Sequence, residues 1–87
     1  MAMWGADVQQ LRQLGSKLQA GATEIDNQKS NLNSLLQSTN WKGPDADKFR
    51  EEWSGTHTTQ LTKVAEALKE ASTRAKRNAD QQEQASN

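Results

Sequence analysis

Gly43 and Pro44 divide the chain into two segments of similar length, and no other feature limits the fold as much. Pro44, the only proline, lacks the backbone N–H that a helix interior needs, so the Gly-Pro pair ends a helix. Asp45 and Asp47 follow at once, where negative charge suits the positive end of a new helix, and Asp45 suits an N-cap. The sequence therefore predicts two helices, joined by a turn at 39–45 and folded back as an antiparallel hairpin.

The first segment carries apolar or small residues at heptad spacing, which is the pattern of a helix with one apolar stripe. We predict this helix over about 7–38. Gly15 and Gly21 lie inside it, and each costs a helix about 1 kcal/mol relative to alanine. Either the missing side chains let another helix approach closely, or the helix merely tolerates them. The stripe consists of Val8, Leu11, Gly15, Leu18, Ala22, Ile25, Leu32 and Leu36, flanked by Leu14 and Leu35.

The second segment predicts a helix over about 46–80, followed by a polar tail, 81–87, that is expected to fray. Consecutive steps of four residues, from Trp53 through His57 to Leu61, interrupt its heptad pattern within a run of weak helix formers. A bend or soft spot is therefore predicted near Gly55. The stripe reads Ala46, Phe49, Trp53, His57, Leu61, Val64, Leu68, Ala71, Ala75 and then Asn78 or Ala79.

Folding the two stripes together about Lys42 gives a predicted register. It places Leu32 opposite Trp53 and Leu18 opposite Leu68. Trp53 is the expected core anchor, because an indole buries about 150–250 Å². Trp4 lies just before the first helix, where either a staple contact with Val8 or an exposed recognition role fits.

The amino-acid composition favours some functions of the chain and disfavours others. The chain has 87 residues, only 32% hydrophobic residues and a mean hydropathy of −1.04, so one copy has a narrow core and a partner is expected. Eleven basic residues balance eleven acidic ones, which disfavours binding to nucleic acid or to an anionic membrane. Arg74, Lys76 and Arg77 are interpreted as a solvated face, with Glu70 and Asp80 as helical ion-pair partners.

Nothing in the sequence resembles a catalytic centre. There is no cysteine, no tyrosine and no Gly-rich phosphate loop, and the single histidine, His57, lacks a carboxylate cluster at metal-ligand spacing. We therefore expect a protein that is not an enzyme and has no cofactor and no metal. The first residues lack the basic and apolar regions of a signal peptide, so any secretion is expected to use another route.

Trp41-Lys42-Gly43 is a Trp-x-Gly tripeptide at the centre of the chain, followed at helical spacing by Ala46, Phe49 and Trp53. In this setting the sequence resembles the WXG family, the small helical hairpins that type VII (ESX) secretion systems of Gram-positive and actinobacterial species export. The resemblance covers about residues 5–86. It implies an all-α hairpin that dimerises into a four-helix bundle, as a homodimer or as a heterodimer with a paired WXG protein.

The same resemblance implies a function. The protein would be made in the cytoplasm and secreted without a cleavable signal peptide, as an effector or secretion partner recognised by the type VII secretion ATPase. In many such pairs one member carries a C-terminal Tyr-x-x-x-Asp/Glu signal. The nearest positions in this chain are Gln82 and Ser86, which have neither the tyrosine ring nor the carboxylate of that signal. The turn motif is Trp41, Gly43 and Pro44, and the expected hairpin and dimer packing residues are Val8, Leu11, Gly15, Leu18, Ile25, Leu32, Leu36, Phe49, Trp53, Leu61, Val64 and Leu68.

Two other interpretations do not involve secretion. A coiled-coil assembly or adaptor module unrelated to secretion requires the apolar stripes and nothing of the turn. A membrane-active role would use each helix as an interfacial amphipathic helix, but the balanced charge and the few large apolar residues disfavour it.

Overall fold

The computed structural model of the protein describes residues 7–86, which form two helical arms joined by a short turn. The first arm is α1, Val8–Ser38, and the second begins with α2, Pro44–Glu52. The second arm continues through a π-helical segment, Trp53–His57, into α3, Thr58–Ser86. Since α1 packs along α3 and every element within 7–86 is helical, the predicted all-α hairpin is confirmed. Its extents of 63 × 18 × 13 Å are those of a rod two helices wide.

Local chemistry explains where α1 begins and ends. Asp7 is its N-cap, and the carboxylate oxygen accepts a hydrogen bond of 3.0 Å from the backbone N–H of Gln10. At the other end Thr39 donates both its backbone N–H, at 2.9 Å, and its hydroxyl, at 2.6 Å, to the carbonyl oxygen of Leu35. These bonds satisfy groups that a helix terminus leaves without partners.

The turn depends on Gly43. Its φ of 121° lies in a region that side chains with a Cβ rarely adopt, and it is the N-cap of α2. Pro44 is the first residue of that helix, where its missing N–H costs no hydrogen bond. The expectation that Asp45 is the N-cap is wrong. Asp45 and Asp47 instead occupy the first turn of α2, where their charge still suits the helix dipole.

The second arm leaves α-helical geometry where the heptad pattern is interrupted. Over Trp53–His57 the backbone is π-helical, and the N–H of Thr58 bonds the carbonyl oxygen of Trp53. A π turn accommodates one extra residue without ending the helix. The soft spot predicted near Gly55 is therefore a π segment, and the arm continues through it.

Small side chains form the contact between α1 and α3. The hydroxyl of Ser72 donates to the carbonyl oxygen of Gly15 at 2.6 Å, in a buried position. A Cβ on Gly15 would lie 3.2 Å from the carbonyl oxygen of Ser72 and 2.9 Å from Cγ of Lys76, so Gly15 permits a close approach of the helices. A Cβ on Gly21 would meet only Leu68, at 3.6 Å, so this glycine is merely tolerated. The buried small residues of the contact are Gly15, Ala22, Ala65, Ser72, Ala75 and Ala79.

At the open end of the hairpin α3 extends to Ser86, beyond the predicted helix end at residue 80. Arg12 accounts for part of this, because its guanidinium bonds Asp80 and Glu83, each at 3.1 Å. Hydrogen bonds to Glu83 and then to Asp80 raise the pKa of Arg12. Ala79 and Gln82 are also buried, so the segment predicted to fray is held by tertiary contacts.

Candidate functional site

One broad side of the hairpin carries large apolar side chains that the chain itself leaves partly uncovered. On α1, Leu14, Leu32 and Leu35 are 50%, 40% and 57% exposed, and on α3 Val64 is 48% exposed. We call this surface the apolar face; its residues are Leu11, Leu14, Leu18, Ile25, Leu32 and Leu35 from α1 and Leu61, Val64 and Leu68 from α3.

The two rows of the apolar face are continuous across the hairpin. Cδ1 of Leu68 lies 3.6 Å from the position that a Cβ of Gly21 would take. Gly21 is three residues after Leu18 and four before Ile25, so it shares their side of α1. Leu68 therefore reaches the α1 row and joins the two helices into one surface.

The residues that hold the arms together occupy a different side of α1. Side-chain contacts to α3 or the π segment come from Arg12, Asp26, Lys29 and Asn33, which recur at helical spacing. The leucines of the apolar face occupy other positions of α1. They therefore lie to one flank of the α1–α3 contact and not at its centre. At the α1–α3 contact a single copy consequently buries small residues and leaves the large aliphatic ones partly exposed at the flank.

The turn end of the hairpin, here called the apex, carries a row of rings. Phe49 lies at its centre, with ring centroids 6.1 Å from Trp41, 6.2 Å from Trp53 and 6.4 Å from His57. Trp53 is the predicted core anchor and is only 8% exposed, whereas Trp41 and Phe49 are 40% and 38% exposed. The apex therefore combines one buried indole with an exposed aromatic pair.

Arg50 fixes the position of Trp41. Its guanidinium donates to the backbone carbonyl oxygens of Trp41 at 2.6 Å, Leu36 at 3.0 Å and Thr39 at 3.2 Å. Its Cζ also lies 5.7 Å from the centroid of the Trp41 ring. One side chain of α2 thus satisfies carbonyls at the end of α1 and holds the turn in place.

The predicted register holds near the apex. The indole N–H of Trp53 donates to Oδ1 of Asn33, the residue next to the predicted neighbour Leu32. Cδ1 of Leu68 lies 3.6 Å from the position that a Cβ of Gly21 would take, and Gly21 is three residues from the predicted neighbour Leu18. The turn residues Trp41, Gly43 and Pro44 lie together at the apex. Val8, Leu11, Leu18, Ile25, Leu36, Leu61 and Leu68 are half-buried.

Sequence reasoning missed several residues that hold the arms together. Ala65 and Ser72 are buried at the helix contact, and Ala65, Ser72 and Ala79 recur every seven residues, a spacing that was open to detection. Asn33 and Arg50 bond partners that are remote in sequence, for which no periodic signal exists.

The charged residues singled out from the sequence are mostly surface groups. Arg74 pairs with Glu70 at 3.6 Å as predicted, but Asp80 pairs with Arg12 and not with Lys76. Nε2 of His57 lies 3.9 Å from a carboxylate oxygen of Glu52.

Over residues 7–86 no group of three or more histidine, aspartate or glutamate side chains is placed to hold a metal ion. No helix in that range is long and apolar enough to cross a membrane.

The two positions nearest to a C-terminal secretion signal lie in the last part of α3. Gln82 is 7% exposed and Ser86 is the last residue of the helix. The interpretations of Trp4 fall outside the described residues.

Comparison with family models, with curated proteins and with solved structures gives no match. The resemblance to the WXG family therefore depends on the turn motif and the pattern of the two helices.

Proposed function

We propose that the protein is a small dimeric export substrate or secretion partner of a type VII secretion system. The observation that carries this proposal is the combination of an uncovered apolar face with a Trp-x-Gly turn at the apex of a helical hairpin. The apolar face supplies a reason to pair. The exposed Trp41 supplies a surface that a secretion ATPase can contact.

The side of the rod that carries the apolar face is long enough for a stable interface. The whole broad side of the rod, 63 Å long and 18 Å wide, spans on the order of 1,000 Å², which leaves room for the about 800 Å² per partner of a standard protein–protein interface. Two hairpins packed through this side give a four-helix bundle, in which the leucines of one copy cover those of the other.

A second copy of this chain is the favoured partner. The apolar face presents leucine, isoleucine and valine, which can cover the same residues of a second copy. Lys29 follows Ala22 by seven residues and so continues the heptad spacing of Val8, Gly15 and Ala22 on α1. Its ammonium bonds the hydroxyl of Thr62 in the same chain at 2.6 Å, so it lies on the α1–α3 contact. A paired WXG protein remains the alternative partner, and such a partner would also supply the missing tyrosine signal.

Light scattering after size exclusion tests the dimer directly. The protein alone should elute as a helical species of twice 9.7 kDa. Leu35→Glu should shift it to monomer, because Leu35 is 57% exposed in one hairpin but would bury its charge between two. Ser34→Glu is the matched control on the neighbouring exposed position and should stay dimeric. A folded monomeric parent, or a dimer that Leu35→Glu leaves unchanged, argues against this interface.

Export tests the secretion role. Trp41→Ala should fold and dimerise, since this indole is 40% exposed, and should appear in culture supernatant at a much lower level. Cells without the secretion ATPase should retain the parent protein. If the protein is dimeric but stays in cells whether or not the ATPase is present, the adaptor interpretation is favoured, because the apolar face alone accounts for assembly.

A further inference from the structure

A polar cleft lies between α1 and the start of the long helix of the second arm, beside the π segment. Its volume is about 340 Å³, large enough for a small ion with its bound water. It is lined by Lys29, Asn33, Ser54, Thr58, Thr59 and Thr62. The lining includes one cation and no carboxylate.

Lys29 differs from the other half-buried cations of the described chain, which are Arg12 and Arg50. Arg12 is held by two carboxylates and Arg50 by three carbonyl oxygens. Within residues 7–86 the ammonium of Lys29 has a single partner, the neutral hydroxyl of Thr62 at 2.6 Å. A half-buried charge without a counter-charge is costly, so this site favours an anion.

The nearest acidic residue on the same helix does not neutralise Lys29. Asp26 lies one turn earlier, and its carboxylate bonds the ammonium of Lys69 at 3.2 Å. The positive charge of Lys29 is therefore left to the cleft.

The remaining donors of the cleft suit an oxyanion. Lys29 uses one of its three N–H groups on Thr62. Asn33 accepts from the Trp53 indole with Oδ1, so its amide NH₂ remains a donor. The hydroxyl of Thr59 has no hydrogen-bond partner among the described residues. Together these groups offer several donors to one small anion.

Two hydroxyls add a selective feature. Ser54 donates to the carbonyl oxygen of Arg50 at 3.0 Å, and Thr58 donates to that of Ser54 at 3.1 Å. With their protons committed to the backbone, their oxygens face the cleft as acceptors only. Acceptors beside a cation suit an anion that carries its own O–H group, as hydrogen phosphate does and sulfate at neutral pH does not.

The π segment gives a structural reason for the cleft. Single π turns interrupt α-helices frequently at functional sites. Here the segment contains Ser54 and Gly55, both weaker helix formers than alanine. On the second arm Thr62 of the cleft and Val64 of the apolar face differ by two residues, about 200° around the helix, so the threonine side of the cleft lies away from the apolar face.

We propose that this cleft binds free hydrogen phosphate. The proposal does not depend on the secretion role, since it uses neither Trp41 nor the apolar face. Lys29 supplies the charge, Asn33 and Thr59 supply further donors, and the hydroxyl oxygens of Ser54 and Thr58 can accept a hydrogen bond from the O–H group of the anion.

The test is a titration of the ¹⁵N-labelled full chain with inorganic phosphate at constant ionic strength, followed by NMR. Saturable shifts are expected at Lys29, Asn33 and Thr59. Lys29→Met keeps the aliphatic stem and should weaken binding by about tenfold or more, because it removes a charge-assisted hydrogen bond. Lys63→Met, an exposed lysine outside the cleft, is the matched control and should bind as the parent does.

Companion ligands test whether binding needs an anion that carries an O–H group. Sulfate and acetate should bind more weakly than phosphate, and so should O-phosphoserine, because at neutral pH its phosphate is largely a dianion without an O–H group. If Lys29→Met loses its helical circular dichroism, Thr59→Val decides, since it keeps the side-chain shape and removes one donor. The proposal is overturned if phosphate causes no saturable shift at tens of millimolar, if acetate or sulfate binds as tightly, or if the variants bind like the parent.

Discussion

Gly15 and Gly21 are matched glycines in one helix, and alanine should have opposite effects at the two positions. In a helix interior the replacement of glycine by alanine contributes about 1 kcal/mol of stability. At Gly21 the new methyl group would meet only Leu68 at 3.6 Å, an ordinary contact. Gly21→Ala should therefore raise the free energy of unfolding by nearly the full amount.

At Gly15 the same gain is opposed by crowding. The new Cβ would lie 2.9 Å from Cγ of Lys76 and 3.2 Å from the carbonyl oxygen of Ser72. The lysine chain can move, but the carbonyl moves only with the backbone of α3. Overpacking of this kind costs about 1–3 kcal/mol. Gly15→Ala should thus be neutral or destabilising, and less stable than Gly21→Ala by about the same 1–3 kcal/mol.

Urea unfolding followed by circular dichroism measures this difference. For a domain of this size 1 kcal/mol corresponds to about 4–8 °C in melting temperature, so thermal unfolding should also separate the variants. Each variant is measured at several protein concentrations, because dimerisation makes the apparent stability concentration-dependent. Equal stabilisation by the two substitutions would refute the close approach of α1 and α3 at Gly15.

Three further predictions concern the turn, the π segment and the open end. Arg50→Lys cannot bond three carbonyls at once and should lower the free energy of unfolding in urea by about 1–3 kcal/mol; an unchanged value would contradict its capping role. Deleting Gly55 restores the heptad spacing and should preserve helicity and cooperative melting, whereas deleting Glu66 turns the rest of α3 by about 100° and should abolish them. Equal losses in the two deletions would contradict the extra-residue explanation of the π segment. Arg12→Gln should speed amide hydrogen exchange over residues 79–84 at low salt, with a smaller effect at high salt. Exchange that is the same as in the parent would show that the Arg12 ion pairs do not hold that end.

The hairpin was predictable because its signals are local. Gly43 and Pro44 end one helix and begin the next, and the heptad stripes identify both arms. The irregularity near Gly55 was also visible, as two consecutive steps of four. By contrast, Asp45 was expected to cap α2, but the positive φ of Gly43 allows the helix to begin one residue before the aspartate.

The packing was harder to predict for a physical reason. A heptad stripe identifies which residues avoid water but not which neighbour covers them. Leu32 and Val64 belong to the stripes, yet they are 40% and 48% exposed because Ala65 and Ser72 form the closer contact. The end of α3 was misjudged for a similar reason. Its polar sequence suggests fraying, but Arg12 holds it from a position far along the chain.

The antiparallel arrangement also decides how the molecule responds to force. Contacts join residues that are near in sequence at the apex, such as Leu36 and Arg50, and residues that are far apart at the open end, such as Arg12 and Glu83. Both described ends of the chain therefore lie at the same end of the rod. Tension applied to them loads the contacts one pair at a time, beginning with the exposed ion pairs of Arg12. The arms should peel apart in sequence at low force, and the capped apex should be the last part to open.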